Sequence, residues 1–257
     1  MTAGTAIVRR PSPRLAEGIV THIERASVDA GRAAEQWEGY GEALRNHGWR
    51  IEEVPTADEH PDGVFVEDAA VVLCGVAVLT RPGAPQRRGE VESVARTLGR
   101  LGFEPRRITD PGELDGGDVM SAGDTVYVGV GGRTNAEGVR QLGEALAPAG
   151  MTAVSVPVSR VLHLKSAATV LPGGTVIGHP DALDDPAIFP RFVAAPEEPG
   201  AHVVRLGDDA VLMATGAPRT EALLRQRGLR PVTVDIGEFE KLEGCVTCLS
   251  VRLRPGP

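Results

Sequence analysis

Cysteine is scarce in this sequence: three in 257 residues, an odd number that cannot make a closed disulfide framework and that agrees with a reducing compartment. No second Cys-x-x-Cys accompanies Cys245 and Cys248, so a four-cysteine zinc site is excluded. The opening segment has only Thr5 to Val8 as an apolar run before Arg9 and Arg10, too short for a signal-peptide core or a membrane span, so the protein is expected to stay in the cytoplasm. An excess of positive charge is missing as well. The formal net charge is -8, which disfavours nucleic acid and anionic membrane as partners and suits a small cationic substrate. No Gly/Ser linker or low-complexity stretch interrupts the chain, so a single catalytic domain over residues 1–257 is expected, with 42% hydrophobic residues to fill its core.

What is present is a recurring order of hairpin, helical segment and strand. Residues 70–79 read as a hairpin turning at Cys74-Gly75, followed by a helical stretch at 90–101 and a strand at 105–109. The order returns as hairpin 119–130, helix 135–149 and strand 152–158, and again as hairpin 168–178, whose following helix is poorly defined within 181–192. A fourth unit comprises hairpin 203–214, helix 218–227 and strand 231–235. The fifth is divided between the chain ends: residues 249–253 pair with 5–9, ahead of helix 33–47 and strand 50–54. About five units of roughly 35–50 residues imply an α/β propeller around a pseudo-fivefold axis rather than a doubly wound sheet.

Equivalent positions in such a ring face the same axis. Immediately before the hairpins stand Glu67-Asp68, Asp115-Gly116-Gly117-Asp118 and His163, and the closing unit carries Cys245 and Cys248. A thiol, an imidazole and carboxylates arriving together have a chemical purpose: the imidazole moves the proton, a carboxylate holds it, and positive charge favours the thiolate. A bound guanidinium could supply that charge, and extra carboxylates such as Asp68 would clamp it.

Plainer readings stand beside this one. Asp115-Gly116-Gly117 can be a tight turn needing positive φ, and His163, alternating between Leu162 and Leu164, can be a structural histidine of a strand. Cys245-x-x-Cys248 has zinc and redox alternatives, but the following segment reads as strand rather than helix. If residues 245–248 are extended, the two Cα atoms lie roughly 10 Å apart, beyond disulfide reach unless the segment bends.

The blocks Asp62-Gly63-Val64-Phe65-Val66-Glu67-Asp68, Thr80-Arg81-Pro82-Gly83, Leu114-Asp115-Gly116-Gly117-Asp118, Arg133-Thr134-Asn135, Leu162-His163-Leu164-Lys165-Ser166 and Glu240-Lys241-Leu242-Glu243-Gly244 occur in this order, with Thr247-Cys248 closing the set. In these the chain resembles, over nearly its whole length, the dimethylarginine dimethylaminohydrolases of the pentein-fold, guanidine-modifying superfamily. The resemblance implies a pentein α/β propeller that hydrolyses N-omega-methylated arginine to citrulline and dimethylamine or methylamine through a Cys thiouronium, without cofactor or metal. It implies Cys248 as nucleophile, His163 as acid and base, and Asp115 as the residue holding the imidazole and substrate. For substrate binding it implies Asp68 with Glu67 beside it for the guanidinium, Asp62 for the α-amino group, and Arg87 with Arg133 for the α-carboxylate. Phe65 and Leu242 would wall the site and Leu15 would belong to a lid. Cys245 departs from the pattern, which leads to an aliphatic residue there. An arginine deiminase or another small-guanidine hydrolase is the nearest alternative, and a non-catalytic binder of arginine-like ligands is a second. Oligomeric state and the choice among dimethylarginine, monomethylarginine and arginine stay open.

Overall fold

Fifteen strands fall into five sheets of three in the computed structural model, which describes residues 4–254; residues 1–3 and 255–257 of the expected domain lie outside these. Every sheet repeats one pattern: the first strand pairs antiparallel with the second, and the second pairs parallel with the third. A hairpin makes the first pairing, and the parallel one requires a crossover, which is where the helical segments lie. In the divided unit Val251–Leu253 pairs antiparallel with Gly4–Val8, which pairs parallel with Trp49–Glu53. The two ends of the chain therefore close the ring.

The crossover helices are Ala30–Arg45, Val91–Arg100, Ala136–Leu146 and Pro218–Gln226. Two begin on side-chain caps, Asp29 accepting from the Arg32 N–H at 3.0 Å and Asn135 from that of Gly138 at 2.8 Å. The Asp29 cap starts the first helix three residues before the expected position. In the third unit the crossover holds only the single 3-10 turns Pro180–Ala182 and Pro186–Ile188, because prolines at 180, 186 and 190 remove donors and block propagation.

Five buried apolar clusters lie at the five junctions between neighbouring units. One joins Ile7 and Val251 to Val66, Leu79 and Leu98, the next joins Val78 and Ile108 to Leu114, Val126 and Leu142, and so on around the ring. Apolar burial thus fixes each unit against two others, and no unit owns a core of its own. The first strands of all five sheets border a central cavity of about 380 Å³. Among the described residues no helix is long and apolar enough to cross a membrane.

Candidate active site

One short turn precedes the first strand of each unit: Val66–Ala69, Gly116–Asp118, Leu164–Ser166 and Glu198–Ala201 are 3-10 turns, and residues 245–249 turn before Val251–Leu253. Such turns place consecutive side chains in different directions and so present single residues to the axis. A small cavity at this end is bordered by Ile19, Asp62, Phe65, Asp68, Arg87, Arg133, Leu162, His163, Leu242, Glu243, Gly244 and Cys248. Its volume of about 20 Å³ has room for roughly one water.

Cys248 is 6% exposed and borders this cavity together with His163. The imidazole Nε2 lies 3.0 Å from Asp115 Oδ2, and Nδ1 lies 3.9 Å from Asp68 Oδ1. Asp115 also accepts from the Gly83 N–H at 2.9 Å and faces Arg133 at 3.7 Å. Asp68 accepts from Arg87 Nη1 at 2.6 Å and from the Gly117 N–H at 2.8 Å. The two glycines after Asp115 are needed for space, since neither has positive φ. A Cβ at 116 would lie 2.0 Å from the Glu67 carbonyl oxygen, and one at 117 would lie 2.5 Å from His163 Nδ1.

Burial alone would keep His163 neutral, but Asp68, Asp118 and Asp115 outweigh it and lift its pKa to about 9. The imidazolium and the Arg87 guanidinium in turn overcome burial at Asp68 and hold it down to about 2. Asp118 is pushed up to about 6, chiefly by burial, although Thr134 Oγ1 donates to it at 2.6 Å and the Leu164 N–H at 2.9 Å. Burial also raises Asp62 above the usual carboxylate range. Asp68, Asp115 and His163 offer donor atoms within 4.8 Å of one another, a set that could hold a cation; the imidazolium already meets that electrostatic demand.

Two expected substrate contacts lie elsewhere. Glu67 faces the central cavity, where its carboxylate pairs with Lys165 at 2.6 Å and Arg252 at 3.0 Å; its neighbour Asp68, one step along the turn, takes the opposite side. Leu15 is fully buried in the apolar cluster with Tyr40 and Leu242, and Ile19, four residues on, borders the site instead. The Arg87 fork reaches the cavity wall already engaged by Glu90, Asp68 and the carbonyls of Asp62 and Phe65, whereas Arg133 makes no hydrogen bond to a described side chain or backbone atom.

Residues 245–248 are not extended, so the 10 Å separation that would follow from an extended segment does not apply. The Cys248 N–H donates to the Cys245 carbonyl at 3.0 Å, a bend that brings the two sulfurs to 3.4 Å. Residues missed from the sequence include Asp118 and Thr134, which sit inside recognised blocks, and Glu243, whose carboxylate accepts from the Thr21 N–H at 2.9 Å, from Thr21 Oγ1 at 3.1 Å and from the His22 N–H. With the Ile19 N–H on Asp62 at 3.0 Å, these bonds hold residues 18–22 in place, with Ile19 bordering the cavity. Only the Glu-Gly step at 243–244 hinted at this, through the positive φ that Glu243 adopts.

Comparison with known proteins places this arrangement among relatives. The chain is 61% identical over 254 residues to a curated N(G),N(G)-dimethylarginine dimethylaminohydrolase of Streptomyces coelicolor, covering 99% of this chain and 98% of the relative. It is 35% identical over 253 residues to the enzyme of that name from Pseudomonas aeruginosa, covering 96% and 98%. A solved structure of DDAH from Pseudomonas aeruginosa, a Cys-to-Ser mutant complexed with citrulline, superposes with a TM-score of 0.91 at 33% identity over 98% of this chain and all of that one. The N-terminal domain of the cyanobacterial arginine dihydrolase ArgZ shares the fold at a TM-score of 0.84 and 20% identity, covering 98% of both chains. No family model matches the chain.

Proposed function

The chain belongs to the dimethylarginine dimethylaminohydrolase family, and on that premise we propose that it hydrolyses N-omega-methylated arginine to citrulline and dimethylamine or methylamine as one catalytic domain. The observation that carries this reading is a single cavity bordered by a thiol, a charged imidazole, three acids and an arginine with donors to spare. Carboxylates and guanidinium groups bordering the same cavity suit an amino acid with a cationic tail.

Asp62 receives the α-amino group and Arg133 the α-carboxylate, while Arg87 serves mainly to hold Asp68 in place. Asp68 pairs with the guanidinium and brings its carbon against the Cys248 sulfur. The Cys248 thiol releases its proton to solvent as the cation binds, the thiolate attacks that carbon, a C–S bond forms, and the C–N π electrons pass to nitrogen in the tetrahedral adduct. The His163 imidazolium, directed by Asp115, donates its proton to the departing methylamine nitrogen, and the C–N bond breaks to leave a thiouronium on Cys248. His163, now neutral, takes a proton from water as the oxygen adds to the same carbon. The C–S bond then breaks, the proton of the added hydroxyl passes to solvent or the released amine, citrulline leaves, and the Cys248 thiolate and His163 imidazolium are restored. A pKa near 9 before substrate binds keeps the acid loaded at neutral pH, and a guanidinium paired with Asp68 weakens the charge that sustains it. The cavity cannot admit an amino acid as it stands, so residues 18–22 must lift for binding and return for chemistry.

Three thiols outside any disulfide fit a reducing compartment, the cytoplasm, and a small molecule is the partner in this reading. Incubation with asymmetric dimethylarginine, monomethylarginine and arginine, with citrulline and the released amine both quantified, tests it. Citrulline with an equal amount of dimethylamine supports the proposal; ammonia from arginine alone moves the chain to deiminase chemistry, and no citrulline from any of them leaves a binding protein.

A further inference from the structure

Cys245 has no part in the hydrolysis described above, yet it touches the nucleophile. Its sulfur lies 3.4 Å from that of Cys248, 3.1 Å from Thr247 Oγ1 and 3.9 Å from the Lys165 carbonyl oxygen. The Cys245 N–H also points at the Cys248 sulfur, at 3.4 Å. The hydrogen bond from Cys248 N–H to Cys245 O closes a four-residue turn. Turns of that kind bring their end Cα atoms within about 7 Å, the span a disulfide bridges. Closing the sulfurs from 3.4 Å to a bonded separation of about 2 Å needs side-chain rotation and no unfolding.

Access to the two sulfurs is unequal. Cys248 borders the cavity and Cys245 lies behind it, 3% exposed. The cavity is too small for the substrate as it stands but accepts a molecule near the size of water.

We propose that Cys245 and Cys248 are a reversible disulfide site: a small hydroperoxide entering the closed cavity oxidises the Cys248 sulfur, and Cys245 captures it before further oxidation. The Cys248 thiolate attacks the distal peroxide oxygen, an S–O bond forms and the O–O bond breaks. The alkoxide or hydroxide that leaves takes a proton from solvent. The Cys245 sulfur then attacks the sulfenic sulfur, an S–S bond forms, the S–O bond breaks, and the hydroxyl leaves as water with the Cys245 proton. Two electrons pass from the sulfur pair to the peroxide, and a dithiol returns them.

Access through the cavity sets this order, and the charges of the pair supply the thiolate. Sharing one hydrogen-bonded proton makes the first ionisation easy, and it pulls the Cys245 thiol down to about 5, helped by His202. Loss of the second proton is opposed, because Cys245, burial, Glu67 and Asp68 all hold Cys248 up. At neutral pH the pair therefore carries one thiolate, mobile between two touching sulfurs. Only the loss of activity rests on Cys248 being the hydrolytic nucleophile; the bond itself does not.

The test uses full-length protein carrying Cys74→Ala, which removes the exposed third thiol, with and without Cys245→Ala or Cys245→Ser. Each is treated with hydrogen peroxide and followed by intact mass, peptide mapping and citrulline production. The parent should lose two hydrogens, yield a 245–248 cross-link, lose activity and regain it with dithiothreitol. Both Cys245 variants should gain oxygen on Cys248 and stay inactive after dithiothreitol. A parent that gains oxygen without a cross-link, or variants that recover as well as the parent does, would overturn the proposal. If untreated protein makes no citrulline, the hydrolase reading fails while the masses still decide the disulfide.

Discussion

Replacing Asp68 with Asn should lower the pKa of His163 and make the acid available over a narrower range. In the wild-type site the imidazole is fully buried, which by itself favours the neutral ring, and Asp68 is the largest of the charges that reverse this, ahead of Asp118 and Asp115. The pKa rises from 6.5 to about 9, and that difference of 2.5 units corresponds to about 3 kcal/mol of preference for the charged form. Asp68 moves the other way, to about 2, through the same pair, so the two shifts describe one interaction and are not added. Because the folded pKa is raised, this stabilisation is fully present below pH 6.5 and is lost as pH rises through about 9. The Asn side chain keeps the size and can still accept from the Gly117 N–H, so the change removes charge with little loss of shape. Imidazole-nitrogen NMR separates His163 from the other five histidines. The expected midpoint lies near 9 in wild type and at least about one unit lower in Asp68→Asn, a loss of roughly 1.4 kcal/mol or more. A wild-type midpoint at or below 6.5, or one that Asp68→Asn leaves in place, would refute the electrostatic account.

Glu67→Ala should cost stability rather than substrate affinity, because it strands Lys165 and Arg252 beside the central cavity. Denaturation should show a loss of roughly 3 kcal/mol with KM little changed, the cavity allowing some hydration of the stranded charges. Glu243→Ala removes the acceptor of three bonds that hold residues 21 and 22. Amide exchange at Thr21 and His22 should accelerate by about tenfold or more, and unchanged exchange would show that another contact keeps the cover down. Gly117→Ala places a methyl 2.5 Å from His163 Nδ1 and 2.8 Å from Asp68 Oδ1. Displacing the ring should reduce kcat by about 100-fold, a result to be compared with the melting temperature to separate misplacement from unfolding.

The ring was legible in the sequence because its units repeat a pattern of period-two and helical stretches, each ended by Gly, Asp or Pro. Even the divided unit could be paired, residues 249–253 against 5–9, since an odd sheet would otherwise lack its first strand. The third crossover was illegible as a helix for a sound reason: its prolines leave only isolated turns. Residues of the candidate site were visible where chemistry singles out a side chain, as at Cys248, His163 and Asp115. Direction was not visible. Glu67 and Asp68 are neighbours of like charge, and only the 3-10 turn that carries them sends one to each cavity. The same limit applies to Cys245, because a strand-like continuation at 249–253 concealed the turn that precedes it. Ile19 and Glu243 act through bonds to backbone N–H groups that are distant in sequence, Ile19 to Asp62 and Glu243 to Thr21, which no local pattern records.

The central claim is that Cys248 carries the substrate carbon between loss of the amine and arrival of water. Wild-type protein mixed with asymmetric dimethylarginine, quenched in acid during turnover and digested, tests this directly by mass. The peptide containing Cys248 should carry the amino acid minus dimethylamine, and Cys248→Ser should show neither that adduct nor citrulline. Citrulline formed at the wild-type rate by Cys248→Ser, or an adduct mapped to Cys245 or Cys74 in its place, would contradict it.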